Sequence, residues 1–453
     1  MSMLISAFAR WDLRRRHGRA LRLGVCLTIS LACWCPSLCC ASANSTCDNI
    51  SDASSVAICA LAASPELRNQ EHEVQVLSGQ RLRARSLLPS HPNVQVSLAG
   101  RRPQSTSGDV QTTLNWYFSL SQEVEIAGQR SARVRVADAA IAAQQRRVLV
   151  TAQEVASAAL STYYNILAET ELAVLGREVE VIAQKLAAVS AARAQAELGA
   201  AIDAHIAQAE ATRLSSLRYE AERRVSDLRQ KLALQLGQAE IGTLQGSLDR
   251  IPGFDSTQEQ TEVLVTQALA LRADIMAARL EQELRMARVQ VLNRERVPNL
   301  TLSFIAQRDG FDEQVFGGGI ALPLPLPAPL GTSRAGEIIS ANAQAAQAGV
   351  AVERLQRQVR MEVMRATEQE RSYAMQAGLY PAALLTQARA DLAALAGALT
   401  ARQLAPQGVL VAQRSLVEFL MGHVELRRGV ALARVERMRV AAQPLVLRTE
   451  GGH

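Results

Sequence analysis

The chain has 453 residues, 48% of them hydrophobic but only 4% aromatic, so alanine and leucine supply most of the apolar material. That balance suits closely packed long helices and argues against a single thick globular core. Of the formal charge of +6, residues 1–43 carry +5, which leaves about +1 elsewhere and removes the compositional case for nucleic-acid binding.

The first segment reads as an export signal. Arg10, Arg14, Arg15, Arg16, Arg19 and Arg22 accompany an apolar run from Leu21 to Ala32, and Ala41-Ser42-Ala43 offers a small-residue cleavage site. The run is short for a spanning helix, which needs about 20 apolar residues. Residues 1–43 are therefore expected to be removed on export, and 44–91 to form an N-terminal periplasmic helical segment. Five of the seven cysteines lie in the signal; Cys47 and Cys59 follow it and either pair in an oxidising periplasm or stay as thiols. A lipid anchor is not favoured, because Ser30-Leu31-Ala32-Cys33 lacks the usual Leu three residues before the Cys.

The remainder contains itself twice. Pro92-Asn93-Val94 recurs as Pro298-Asn299-Leu300. Val134, Ile141, Val148, Val155 and Thr162 form a seven-residue series, and Ile338, Ala345, Val352, Val359, Ala366 and Tyr373 form another at an offset of 204. A strict heptad keeps its seam on a neighbour only if the helices supercoil left-handedly, so these are coiled-coil helices. They break at Glu197-Leu198-Gly199-Ala200 and at Gln403-Leu404-Ala405-Pro406, where Gly and Pro are ordinary turn chemistry. Return helices follow, matched through Ala207-Gln208 and Ala412-Gln413 at an offset of 205.

Strands precede each hairpin. Val94, Val96 and Leu98 alternate with polar neighbours, as do Leu114, Trp116, Phe118 and Leu120, then Leu300, Leu302, Phe304 and Ala306, and finally Phe316, Ile320 and Leu322 around a flexible-looking Gly317-Gly318-Gly319. Strands of about ten residues with one apolar face have the length and pattern of transmembrane β-strands. Four cannot close a barrel around a pore, so this reading requires several subunits. The expected layout is repeat 1 over 92–250, with strands at 93–102 and 111–124 and a helix hairpin at 130–237. Repeat 2 covers 251–445, with a helix at 257–294, strands at 298–307 and 314–324 and a hairpin at 334–442, and 446–453 is a tail. The strand-to-helix connectors are Gln122 to Arg130, with Gly128, and Pro323 to Arg334, with Pro323 and Pro325 making a rigid extended run.

On Ser121 to Arg130, the Arg308-Asp309-Gly310 turn and Leu322-Pro323-Leu324-Pro325 followed by Gly336-Glu337, the chain resembles the TolC family of outer-membrane efflux proteins. The similarity is closest to the outer-membrane components of cobalt/zinc/cadmium-type heavy-metal efflux systems. The resemblance implies a mainly α fold with a membrane β-barrel: a homotrimer with a twelve-stranded barrel in outer-membrane lipid and an α-helical periplasmic tunnel. It also implies a periplasmic adaptor, an RND-type inner-membrane pump and a passive conduit for heavy-metal cations or, alternatively, drugs. Leu198, Gly199, Leu404, Ala405 and Pro406 would stand at the tunnel mouth that meets the adaptor, with Asp203 a candidate gate or an ordinary helix-start residue.

Chemistry beyond conduction is not expected. The six His are scattered; Glu71-His72-Glu73 and Asp203 with His205 are the only pairings, and i, i+2 neighbours point to different sides of a helix. No nucleophile elbow, phosphate loop or HExxH is present, so neither catalysis nor a cofactor is implied. A periplasmic coiled-coil adaptor or scaffold would share the heptads and the signal, but not a strand pair before each of two hairpins.

Overall fold

The structure is a computed structural model. It describes Cys47 and residues 52–101, 113–196, 201–242, 244, 246–249, 261–309, 313–326, 334–401 and 405–445. The proposed signal, the loop between the first two strands, most of both hairpin turns and the tail lie outside these residues.

Two short helices open the described chain. α1 (Ala53–Ala63) starts at Asp52, whose carboxylate accepts from the Ser55 N–H while Ser55 Oγ accepts from the Asp52 N–H, a reciprocal cap that satisfies two helix-end donors. α2 (Pro65–Ala84) is capped by Ser64 with Pro65 at its first position, where a missing N–H costs nothing. Strands β1 (Asn93–Arg101) and β2 (Thr113–Val124) follow, then α3 (Gln129–Gln195) and the return helix α4 (Ala201–Gln235). With 67 residues and one interior Gly, α3 runs for about 100 Å.

The second half repeats the order with interruptions. The helix expected over 257–294 is two helices, α5 (Thr261–Leu271) and α6 (Ala273–Arg294), parted at Arg272, which adopts φ −62°, ψ 128°. At the break Arg272 donates to the nearby Asp274 and, across the fold, to Glu362 and the Val440 carbonyl, which anchor it there. β3 (Leu300–Arg308) and β4 (Gln314–Ala321) come next. Leu322 to Leu326 are extended but unpaired, so the fourth strand is shorter than its alternation suggested. The outgoing arm of the second hairpin is also divided, into α7 (Ala335–Ala377) and α8 (Ala382–Thr400), because Gly378 is a poor helix former and Pro381 has no N–H to continue the ladder. α9 (Pro406–Val440) returns.

The heptad residues face inward. Thr162 on α3 and Val352, Val359 and Ala366 on α7 are buried. The duplication offset is 206 at the two outgoing-helix N-caps, Gly128 and Arg334. It is also 206 on the return helices, where Ala207, Ala211 and Leu214 are buried at the positions of Gln413, Val417 and Leu420. The sequence matches at 204 and 205 differ because a broad apolar face tolerates alignment one or two residues out. One core cluster joins α1, α3, α9 and the end of α4; a second lies between α3, α4, α8 and α9; a third joins α5, α6, α7 and the end of α9.

Candidate functional site

The strands form one antiparallel sheet ordered β1-β2-β3-β4. Register places Val96 opposite Phe118, Phe118 opposite Ala306 and Ala306 opposite Phe316, and Leu120 opposite Phe304. Side chains alternate across a strand, so Val94, Val96, Leu98, Trp116, Phe118, Leu302, Phe304, Phe316 and Ile320 share one face. Ser97, Tyr117, Ser119, Ser121, Thr301, Ser303 and Gln307 share the other. The apolar face has no partner in the isolated chain: Leu98, Phe316 and Ile320 are 68%, 65% and 73% exposed. β1 and β4 are edge strands, each presenting a row of backbone groups. Gly317 to Gly319 are paired strand residues, and a Cβ on Gly319 would meet Ser303 Oγ at 2.6 Å, so a larger residue there would require Ser303 to turn aside.

The sheet joins the helices at a polar seam. Gln129 is 2% exposed; its Nε2 donates to the Val297 carbonyl and to Asn299 Oδ1, while its Oε1 accepts from the Ala127 N–H. Asn299 Nδ2 donates to Glu123 Oε1 at 2.8 Å, so the Asn of the second Pro-Asn pair ties the two repeats together. Both long helices leave the seam through a left-handed N-cap: Gly128 at φ 75° and Arg334 at φ 51°. Arg130 Nε donates to the carbonyl of Arg85, the C-cap of α2, and Arg334 pairs with Glu295, the C-cap of α6. Each connector arginine therefore fastens its outgoing helix to the end of the preceding one. Pro323 and Pro325 line a groove of about 770 Å³ with Glu295, Arg296 and Arg334. Gly128→Val is expected to cost about 1–2 kcal/mol, since a β-branched residue cannot hold that backbone without strain, and a urea-unfolding series on the full chain measures it. Arg334→Gly should cost less, because relief of the same strain offsets the lost, partly exposed ion pair.

At the tips, Leu198, Gly199 and Leu404 lie outside the described residues. Ala405 is the extended N-cap of α9, with Pro406 at the first helical position. Asp203 sits in the first turn of α4, where its charge complements the helix dipole. Among the described residues no group of three or more His, Cys, Asp or Glu could hold a metal ion, and the His72 ring lies against the Gln75 side chain of its own helix.

A set of charge clamps was not visible in the sequence. α9 carries Arg427, Arg428, Arg434 and Arg437, which bind Glu171, Glu169 and Glu370 on the outgoing helices. Glu169 and Glu370 are 3% and 8% exposed. Arg427 also holds Asp249 through two hydrogen bonds, which, against the opposing effect of burial, keep the Asp249 carboxyl below its ordinary value. Beside this pair a cavity of about 880 Å³ opens at the α7–α8 break, with Tyr380 stacked 4.8 Å from Phe419 and 5.5 Å from His423. Burial, then the Arg427 charge, lowers the His423 pKa, with Asp249 opposing. The sequence signal for the clamps was an arginine-rich return helix, which looks like a solvated face until its partners are known.

A strand pair followed by a long helix hairpin, twice over, with all four strands in one two-faced sheet, is the fold of the TolC-like outer-membrane channels. The chain superimposes on the outer-membrane channel OprN with a TM-score of 0.70 at 15% identity, covering 87% of this chain and 91% of that one. CusC, solved in a study of its folding and transmembrane channel formation, matches with a TM-score of 0.67 at 16% identity over 86% of this chain and 92% of its own. In sequence the chain is similar to the cobalt-zinc-cadmium resistance protein CzcC of Cupriavidus metallidurans, 25% identical over 206 residues. That match covers 45% of this chain and about half, 48%, of CzcC. No family model matches the chain.

Proposed function

We propose that this chain is the outer-membrane subunit of a pump–adaptor–channel efflux system, a passive conduit that exports heavy-metal cations. The observation that carries this reading is the sheet: one face apolar and unpartnered, the other polar, both edges open. A four-stranded sheet with open edges is unsuited to lipid, where every backbone group needs a partner, whereas three copies edge to edge give twelve strands and no edge. The apolar face then meets outer-membrane lipid, the polar face lines the lumen, and the hairpins continue as a periplasmic tunnel. No described helix is long and apolar enough to cross a membrane. Leu198, Gly199, Leu404, Ala405 and Pro406 form the mouth that meets a periplasmic adaptor tied to an RND-type pump, and Asp203 stands beside it as the gate charge. The similarity to CzcC supports metal cations as the cargo.

Deleting the gene is expected to lower tolerance of cobalt, zinc and cadmium several-fold, with restoration by a plasmid copy. Growth inhibition by drugs or dyes with normal metal tolerance would replace the metal cargo by organic solutes. A protein recovered as a water-soluble monomer without detergent would remove the channel reading itself.

A further inference from the structure

Cys47 and Cys59 are joined by a disulfide, their Cα atoms 5.7 Å apart. The other five cysteines of the chain all lie within residues 26–40, so this is the single pair that follows the proposed signal. Cys59 stands on α1 and is 1% exposed; Val56, Ala57 and Ala60 of the same short helix are wholly buried in the cluster that holds Tyr163, Tyr164 and Leu232. Cys47 packs against that cluster, and its carbonyl accepts a hydrogen bond from Gln238 Nε2 at 2.5 Å. Cys59 is thus enclosed once α1 is seated, while Cys47 is partly buried beside it.

Burial of Cys59 favours one order of events. Thiol–disulfide exchange needs an external sulfur to approach the one it attacks, and the seated helix leaves Cys59 no such approach. An 11-residue helix is too short to be stable alone, so before docking the segment is open and both thiols can be reached. Docking takes milliseconds to minutes, whereas disulfide formation without a catalyst extends to hours. An oxidation that is to be completed before the core closes is therefore favoured by a catalyst.

We propose that the chain is a substrate of a periplasmic thiol–disulfide oxidoreductase that joins Cys47 to Cys59 after export and before α1 docks. The thiolate of one cysteine attacks the oxidoreductase disulfide and forms a mixed disulfide. The thiolate of the other then attacks the protein's own sulfur in that bond, releasing the oxidoreductase as a dithiol. Two electrons and two protons pass from the chain to the oxidoreductase. The finished bond staples the start of the folded body to the junction of α1, α3, α4 and α9. The proposal rests on the export reading above.

The test tags free thiols of the full-length protein with maleimide-polyethylene glycol after acid quenching, in cells with and without their periplasmic dithiol oxidase. In wild-type cells the outer-membrane chain should take no tag, should take two after reduction in denaturant, and should resist dithiothreitol while native. Without the oxidase it should take two tags, and detergent-resistant oligomer should fall several-fold, recovering when cystine is added during synthesis. The double variant Cys47→Ser with Cys59→Ser should give the same amount of oligomer in both strains, which isolates the effect to this pair. Equal oxidation in the two strains, two free thiols on wild-type outer-membrane protein, or ready reduction of the native chain would overturn the proposal. A chain that retains residues 1–43 in the cytoplasm and takes up to seven tags would instead overturn the export reading.

Discussion

Arginine in place of Val96 is expected to eliminate outer-membrane oligomer, whereas arginine in place of the adjacent Ser97 is expected to leave assembly intact and change what the pore conducts. Val96 lies near the middle of β1, 64% exposed in the isolated chain and paired with Phe118 on the apolar face. A lipid-facing arginine at the bilayer midplane costs about 2–4 kcal/mol, and the proposed trimer would place three around its barrel. Ser97 pairs with Tyr117 on the opposite face, where in the proposed barrel an arginine would reach water in the lumen and add a positive ring. The readouts are detergent-resistant oligomer in outer-membrane fractions and single-channel conductance with cation selectivity in planar bilayers. Because a one-residue slip in register exchanges the two faces, the reverse pattern would invert the assignment, and equal behaviour of both variants would remove the membrane role of the sheet.

These faces were legible in the sequence because their signals are local. Period-two alternation in Val94 to Leu98 and Leu300 to Ala306 needs no knowledge of the partner strand, and the heptads of α3 and α7 report their inward faces directly. The features that escaped are set by distant residues. The break at Arg272 has no proline or glycine at the break itself; it is anchored by Glu362, 90 positions away, and by the Val440 carbonyl, 168 away. Gly378 and Pro381 did signal the second break, but the heptad series up to Tyr373 invited its extension through them. Gly128 and Arg334 share a backbone conformation that only the glycine advertises. The helix hairpins are therefore readable as helices, while the points at which they bend and are fastened are not.

A large loss of stability from a single helical residue is expected at Glu370. It sits on α7, 8% exposed, and accepts from Arg434 Nε at 2.7 Å and from Arg437 Nε, while Arg437 is itself 3% exposed. Removing one partner of a buried ion pair leaves the other charge without compensation in a low-dielectric interior, which costs about 3–5 kcal/mol. Glu370→Ala should therefore lower the unfolding free energy of the detergent-solubilised chain, read from its urea transition, by an amount of that size. Replacing the most buried pair with apolar residues, Glu370→Leu with Arg437→Met, should recover part of it, because the buried Arg437 charge is then no longer stranded while the half-buried Arg434 still loses Glu370. The exposed pair Arg414–Glu418, with side chains 62% and 68% accessible, is the control: Glu418→Ala should change stability by less than about 1 kcal/mol. If Glu370→Ala behaves like the control, α9 is held by its apolar face alone. If it behaves as expected, the buried carboxylates fix the position of α9 on α7, and with it the base of the second hairpin whose far end forms the proposed mouth.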